Sequence, residues 1–169
     1  KGDSRTMALA DGSMGKHSEE NINIILALDP GRDKTGFALV DFEGSLLGSG
    51  IFSSSERDNF FRTMNFSEWL IEGSSKNIAD SQIKFIALGD GTGSKEFHDY
   101  IKTATSYEII IVNERNTTLE ARGLYWKLHK PGLLMRLIPE SLRVPARILD
   151  DLAAWAIALR ALRVLREKI

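Results

Sequence analysis

The sequence predicts one α/β domain, over residues 22–169, with a five-stranded mixed sheet flanked by helices. Three apolar runs joined by short turns open the domain, and later apolar runs alternate with segments of helical periodicity. Together these patterns predict a three-strand antiparallel meander continued by two parallel strands. At 169 residues, 43% of them hydrophobic, the chain is long enough to bury a core.

The meander is predicted from residues 22–29, 35–41 and 46–52. The first run ends in Asp-Pro-Gly, which is typical of a buried strand stopped by a turn. Glu43 and Gly44 form a tight-turn signal between the second and third strands. Residues 60–71 then carry an irregular apolar pattern that favours a helix interrupted near Asn65.

The second half alternates strands and helices. Residues 85–88 and 109–112 are predicted as buried strands, and Ser94 as the N-cap of a helix between them. Thr117 and Glu120 stand at capping-box spacing before another helix. Residues 131–145 contain three prolines and one glycine, which make this stretch too interrupted for regular structure. From Leu149 the pattern is helical again.

Composition narrows the classes of function. Without cysteine there is no disulfide framework, and a metal would be held mainly by oxygen ligands. No apolar run approaches the roughly 20 residues that cross a bilayer, so we expect a cytoplasmic protein without membrane contact. Residues 1–21 lack periodicity and are expected to be a disordered tail or an expression remnant.

The net charge of −1 conceals an uneven distribution. Residues 1–114 carry a balance of −7, whereas residues 115–147 carry +5. A basic surface of this kind suits a phosphate backbone, although charge alone is equally typical of a solvated helix face and loop.

Carboxylates stand at the ends of predicted elements. Asp29 closes the first strand, Glu114 follows the strand at 109–112, and Asp150 and Asp151 open the last helix. Each has an ordinary explanation as a turn or helix cap. Acids at element ends can also converge on Mg²⁺ or Mn²⁺, which favour oxygen ligands. Asp150 is the preferred ligand of the adjacent pair.

Three blocks in this order resemble a known family. Residues 28–31 with Gly36, residues 113–121 and residues 150–154 are similar to the signature blocks of the YqgF family. These are RuvC-related, RNase H-like nucleases that are also labelled Holliday-junction-resolvase-like. The resemblance covers residues 22–166 and implies an RNase H-like fold and a metal-dependent phosphodiester hydrolase.

The resemblance also implies roles and partners. Asp29 would bridge two Mg²⁺ or Mn²⁺ ions, Glu114 and Asp150 would complete their shells, and Asp151 could assist. The implied process is pre-16S rRNA maturation in ribosome biogenesis, with RNA favoured over DNA and the protein a monomer or weak homodimer. The candidates for phosphate contacts are Lys95, Arg115 and Arg122, with backbone amides at 91–93. The alternatives are a resolvase of branched DNA and a non-catalytic nucleic-acid-binding module.

Overall fold

The computed structural model describes residues 22–74, 78–139 and 142–168. It contains one mixed sheet in the order β4-β3-β2-β1-β5-β6, with helices on both faces. The strands are β1 (Ile24–Pro30), β2 (Lys34–Asp41), β3 (Leu46–Ser53), β4 (Leu70–Gly73), β5 (Ile83–Gly89) and β6 (Glu108–Val112). The helices are α1 (Arg57–Thr63), α2 (Ser94–Ala104), α3 (Thr117–Leu128), α4 (Leu133–Arg136) and α5 (Asp150–Glu167). The predicted tail at 1–21 lies outside the described residues.

The predicted meander and parallel pair are both present. β1 pairs antiparallel with β2, and β2 with β3. On its other side β1 pairs parallel with β5, which pairs parallel with β6. The carboxyl ends of β1, β5 and β6 therefore meet at one edge of the sheet, where open α/β sheets place ligands.

The prediction of five strands was wrong, because residues 70–73 form a sixth, antiparallel to β3. The helix predicted over 60–71 stops early, at Met64, whose backbone is left-handed with a φ of 47°. The chain then runs along β3, where the Ile51 amide donates to the Trp69 carbonyl at 3.2 Å. A Cβ at Gly50 would overlap that carbonyl, so only glycine admits the added strand so closely.

Two hydrophobic layers cover the sheet. On one face α5 packs beside α3, and its small residues at 153, 154, 156 and 158 let it lie close to the strands. On the other face α1 and α2 enclose an aromatic cluster centred on Phe37, Phe52 and Phe60. The sheet is therefore buried on both faces, which keeps α5 and the ends of the central strands in a fixed relation.

Both predicted helix caps were wrong. Gly93, with a φ of 85°, is the N-cap of α2 in place of Ser94. Asn116, with a φ of 70°, precedes α3 without a side-chain cap bond, and the Thr117 hydroxyl donates to the Glu114 carbonyl instead. Left-handed residues turn the chain sharply into each helix, so the hydroxyls lie one position too late to cap. The stretch predicted as irregular contains the single turn α4.

Within the described ranges, none of the helices combines the length and the apolar character needed to cross a membrane.

Candidate active site

Asp29 lies near the end of β1, at the edge where the parallel strands terminate. Its neighbour across the antiparallel pairing with β2 is Gly36. The apolar residues before Asp29 are fully buried, so β1 is anchored in the core up to this position. The strand therefore presents the Asp29 carboxyl group at a fixed point of the edge.

Asp150 is brought to the same point by the first turn of α5. A Cβ on Gly36 would overlap the backbone carbonyl of Asp150, so the helix start lies directly on β2 at the one position without a side chain. The Asp150 Oδ2 atom lies 3.0 Å from Nζ of Lys34, the first residue of β2. Asp150 is thus held beside Asp29 by backbone packing and by an ion pair.

Glu114 reaches the site from the residues that follow β6. Its backbone amide donates to Oδ1 of Asp90 at 3.0 Å, and the Asn113 side chain donates to Oδ2 of the same carboxylate at 3.0 Å. The Glu114 carboxyl group lies over two glycines: a Cβ at Gly91 would overlap it, and a Cβ at Gly89 would lie 2.7 Å from Oε2. The two glycines and Asp90 therefore form a seat that fits Glu114.

The pKa of Asp29 reflects the proximity of the other two acids. Its pKa is raised from 3.8 to about 7, first by burial of the side chain, then by the negative charges of Glu114 and Asp150, and by a hydrogen-bonding contact with the Glu114 carboxyl group. Neighbouring carboxylates without a cation between them resist ionisation in this way. The structure therefore places Glu114 and Asp150 within electrostatic reach of Asp29.

The donor set fits a hard divalent cation. All three side chains offer oxygen, and Glu114 Oε2 is a buried atom without a hydrogen-bond partner. In the part of the chain that the structure describes, no three acidic or histidine side chains are already spaced to hold a metal ion. Cation binding at these acids would therefore require side-chain movement, and Asp150 is the acid that has an ion-pair partner to release.

Asp151, predicted as an assisting acid, lies in a different environment. It is fully buried and accepts hydrogen bonds from the Ser49 hydroxyl at 2.7 Å and from both terminal nitrogens of Arg147, at 2.6 and 3.1 Å. Arg147 also donates to Glu72 at 2.7 Å, and Glu72 contacts Nε2 of His129 at 2.7 Å. Asp151 therefore belongs to a partly buried network of polar side chains at the start of α5.

The predicted phosphate contacts separate into two groups. Arg122 lines a cavity of about 280 Å³ that Asp150 also lines. Lys95 and Arg115 are exposed, and neither lines the cavities that include Asp29 or Asp150. Arg160 donates to the backbone carbonyl of Arg115 at 2.8 Å, so the segment after β6 is held from α5. Of the three, Arg122 is the one that shares a cavity with an acid of the site, whereas Arg115 follows Glu114 in the chain but lines neither cavity.

Sequence reasoning missed two basic side chains close to the acids. Arg32 and Lys34 line a cleft of about 210 Å³ together with Asp29 and Asp150. The signal was available, since a hairpin between the predicted strands at 22–29 and 35–41 must return its first residues to the end of β1. Of the residues 91–93 predicted to offer backbone amides to phosphate, Thr92 and Gly93 line an adjoining cavity with Arg32 and Arg57.

The fold of this chain is similar to that of solved structures. A solved structure of the fowlpox virus resolvase with its substrate Holliday junction DNA is similar to this chain at 14% sequence identity and a TM-score of 0.44. The similarity covers 86% of this chain and 99% of the viral one. No protein-family model matches the sequence, and no curated protein matches it.

Proposed function

We propose that this protein is a divalent-metal-dependent phosphodiester hydrolase that acts on nucleic acid. The observation that carries the proposal is the convergence of Asp29, Glu114 and Asp150; burial of Asp29 and the charges of the other two acids together raise its pKa to about 7. A fold gains no stability from three carboxylates gathered at the end of a buried strand. Their proximity is useful when a cation shares the site.

The three acids would hold Mg²⁺ or Mn²⁺ through their carboxylate oxygens. When bound, such a cation lowers the pKa of a coordinated water and stabilises charge on a phosphate oxygen. Glu114 enters this role with Oε2 unpartnered, and Asp29 is fixed by the buried strand before it. Asp151 has a structural role, because its bonds to Arg147 and Ser49 stabilise the start of α5 in the fold.

A path for a phosphodiester strand passes over the acids. The cleft beside Asp29 shares Asp150 with the Arg122 cavity on one side, and it shares Gly31 and Arg32 with the Arg57 cavity on the other. The cleft therefore lies between the Arg122 cavity and the Arg57 cavity. Basic side chains at both ends would contact backbone phosphates while the acids face the bond to be cut.

For the substrate we propose RNA, in line with the resemblance to YqgF nucleases and with an RNase H-like arrangement of the five strands β3-β2-β1-β5-β6. Processing of pre-16S rRNA is the corresponding role. A resolvase of branched DNA is the alternative, and it would require two symmetric active sites and hence a dimer.

The experiment is a cleavage assay with three substrates: a pre-16S-like RNA, a linear single strand and a four-way DNA junction. Each is incubated with Mg²⁺, Mn²⁺ or EDTA. We expect cleavage that requires the cation, is abolished in Asp29→Asn, and is retained in the matched control Asp99→Asn, which alters an exposed acid on α2. Cleavage that persists in EDTA or in Asp29→Asn would overturn the proposed mechanism.

A non-catalytic nucleic-acid-binding module is the second candidate. The observation that favours it is the ion pair between Lys34 and Asp150, which satisfies one acid without a metal. This candidate predicts salt-sensitive binding of the same substrates and no cleavage with either cation. It also predicts that Asp29→Asn leaves binding unchanged or strengthens it, because the variant removes a negative charge from the groove.

A further inference from the structure

Among the residues that the structure describes, Lys34 is the basic residue that forms an ion pair with the acid cluster of Asp29, Glu114 and Asp150. It follows the turn after β1, where the Gly31 amide donates to the Lys34 carbonyl at 3.0 Å. From there its ammonium group reaches Asp150 Oδ2 at 3.0 Å. Within the described residues, neither Asp29 nor Glu114 forms an ion pair of this kind. In the described part of the chain, the three carboxylates therefore have one ion-pair partner between them, the Lys34 ammonium group at Asp150.

The ion pair between Lys34 and Asp150 is exposed enough to dissociate. The two side chains remain 40% and 35% exposed, and both line the solvent-open cleft of about 210 Å³ beside Asp29. Half-exposed ion pairs are weak, because water competes for both charges. A lysine side chain is also long and flexible, so its ammonium group can leave Asp150 while β2 stays in place.

We propose that Lys34 is a positioning residue. Its ammonium group pairs with Asp150, competes with a divalent metal ion for that carboxylate, and thereby sets the metal affinity of the acid cluster. This inference rests on the proposed function, since it concerns the same acids. An ammonium group and a divalent ion at one carboxylate repel each other. Metal binding therefore turns Lys34 away from Asp150 and into the cleft.

Replacing Lys34 by an uncharged residue should raise the metal affinity of the site, not lower it. Removing the positive charge at Lys34 strengthens metal binding, because the competitor for Asp150 is lost. A residue that merely supported the fold would weaken binding when removed. From the energies of half-exposed ion pairs we expect a gain of about three- to tenfold in Mn²⁺ affinity.

The test is calorimetric titration of the metal-free protein with Mn²⁺. Lys34→Met should bind more tightly than wild type, while Lys34→Arg, which keeps the charge, and Lys102→Met, an exposed lysine on α2, should bind like wild type. Unchanged or weaker binding in Lys34→Met would overturn the inference while leaving the proposed metal site intact. Wild-type protein that binds no Mn²⁺, or binds it as well as Asp29→Asn does, would overturn the proposed function itself and the inference with it.

A second measurement follows the Lys34 side chain in the wild-type protein and so does not depend on the stability of Lys34→Met. In wild-type protein with ¹³C-labelled lysine side chains, the Lys34 signal is assigned by its absence from Lys34→Gln, and Mg²⁺ is then added. Displacement from Asp150 predicts a shift of that signal that saturates with metal binding and is absent in Asp29→Asn. A Lys34 signal that does not move while Mg²⁺ binds would contradict the proposal.

Discussion

The backbone carbonyl of Asp150 lies where a Cβ atom on Gly36 would be. Gly36 is also the residue that faces Asp29 in the pairing of β1 with β2. One missing side chain thus lets the helix that carries Asp150 rest on the strand beside Asp29. The separation of the two backbones at these acids is therefore a consequence of packing between β1, β2 and α5.

Substituting Gly36 by alanine should separate these acids. The added Cβ meets backbone atoms, which cannot move aside without shifting the start of α5. We expect a loss of stability of about 1–3 kcal/mol or more, as for other overpacked cores, together with at least a tenfold loss of Mn²⁺ affinity. Chemical denaturation and calorimetry measure the two effects. Gly132→Ala is the control, because a Cβ there has no atom within 4 Å, and wild-type metal affinity in Gly36→Ala would contradict the packing argument.

Alanine at Gly91 should impair the site with little cost to the fold. Here the added Cβ would overlap the end of the flexible Glu114 side chain, which can rotate away. We expect near wild-type stability but a 10- to 100-fold loss of Mn²⁺ affinity, the range seen when groups that orient metal ligands are changed. A variant that unfolds easily, or that binds metal as wild type does, would show that Gly91 does not form the seat of Glu114.

The raised pKa of Asp29 predicts a pH-dependent stability for the metal-free protein. The folded state binds this proton more tightly than the unfolded chain, with a pKa of about 7 against 3.8. The stability that Asp29 contributes is therefore complete below pH 4 and is lost as the pH rises to about 7. Relative to wild type, Asp29→Asn should be more stable at pH 8, by roughly 2–4 kcal/mol, and the difference should vanish near pH 4.

Added Mg²⁺ provides the control for that prediction. At pH 8 it should raise the melting temperature of wild type, since a ligand that binds only the folded state stabilises it, and should have little effect on Asp29→Asn. Equal pH profiles for the two proteins would contradict the assignment of the shifted pKa to Asp29.

The adjacent acids at the start of α5 should respond in opposite ways to replacement by asparagine. Asp151→Asn disrupts a buried ion pair with Arg147, so it should cost about 3–5 kcal/mol of stability and leave the Mn²⁺ affinity of the folded protein unchanged. Asp150→Asn should keep its stability and lose Mn²⁺ affinity. Unfolding curves and calorimetry on both variants separate the roles, and loss of metal binding with full stability in Asp151→Asn would reverse the assignment.

The acids at strand ends could be predicted because buried strands leave a strong signal. Continuous apolar runs before Asp29 and Glu114 marked where β1 and β6 end, and parallel strands end at one edge. The short strand β4 could not be recognised in the same way. Its four residues follow an aromatic segment with helical spacing, and their pairing depends on Gly50, which is distant in sequence.

The different roles of Asp150 and Asp151 could not be predicted from the sequence either. Neighbouring helical residues point about 100° apart, and the sequence does not state which one faces the sheet edge. The deciding partner of Asp151 is Arg147, which in the sequence is one of several arginines in a basic segment. Lys34 was missed for a similar reason, since its contact with Asp150 joins residues 116 positions apart.

The central claim is that Asp29, Glu114 and Asp150 together bind a divalent cation. Anomalous diffraction from crystals soaked in Mn²⁺ tests it most directly, because it locates the ion and its ligands. We predict a manganese peak contacted by all three carboxylates, with the Lys34 ammonium group moved away from Asp150. The claim is contradicted if no peak lies between these carboxylates, or if manganese binds only at other residues.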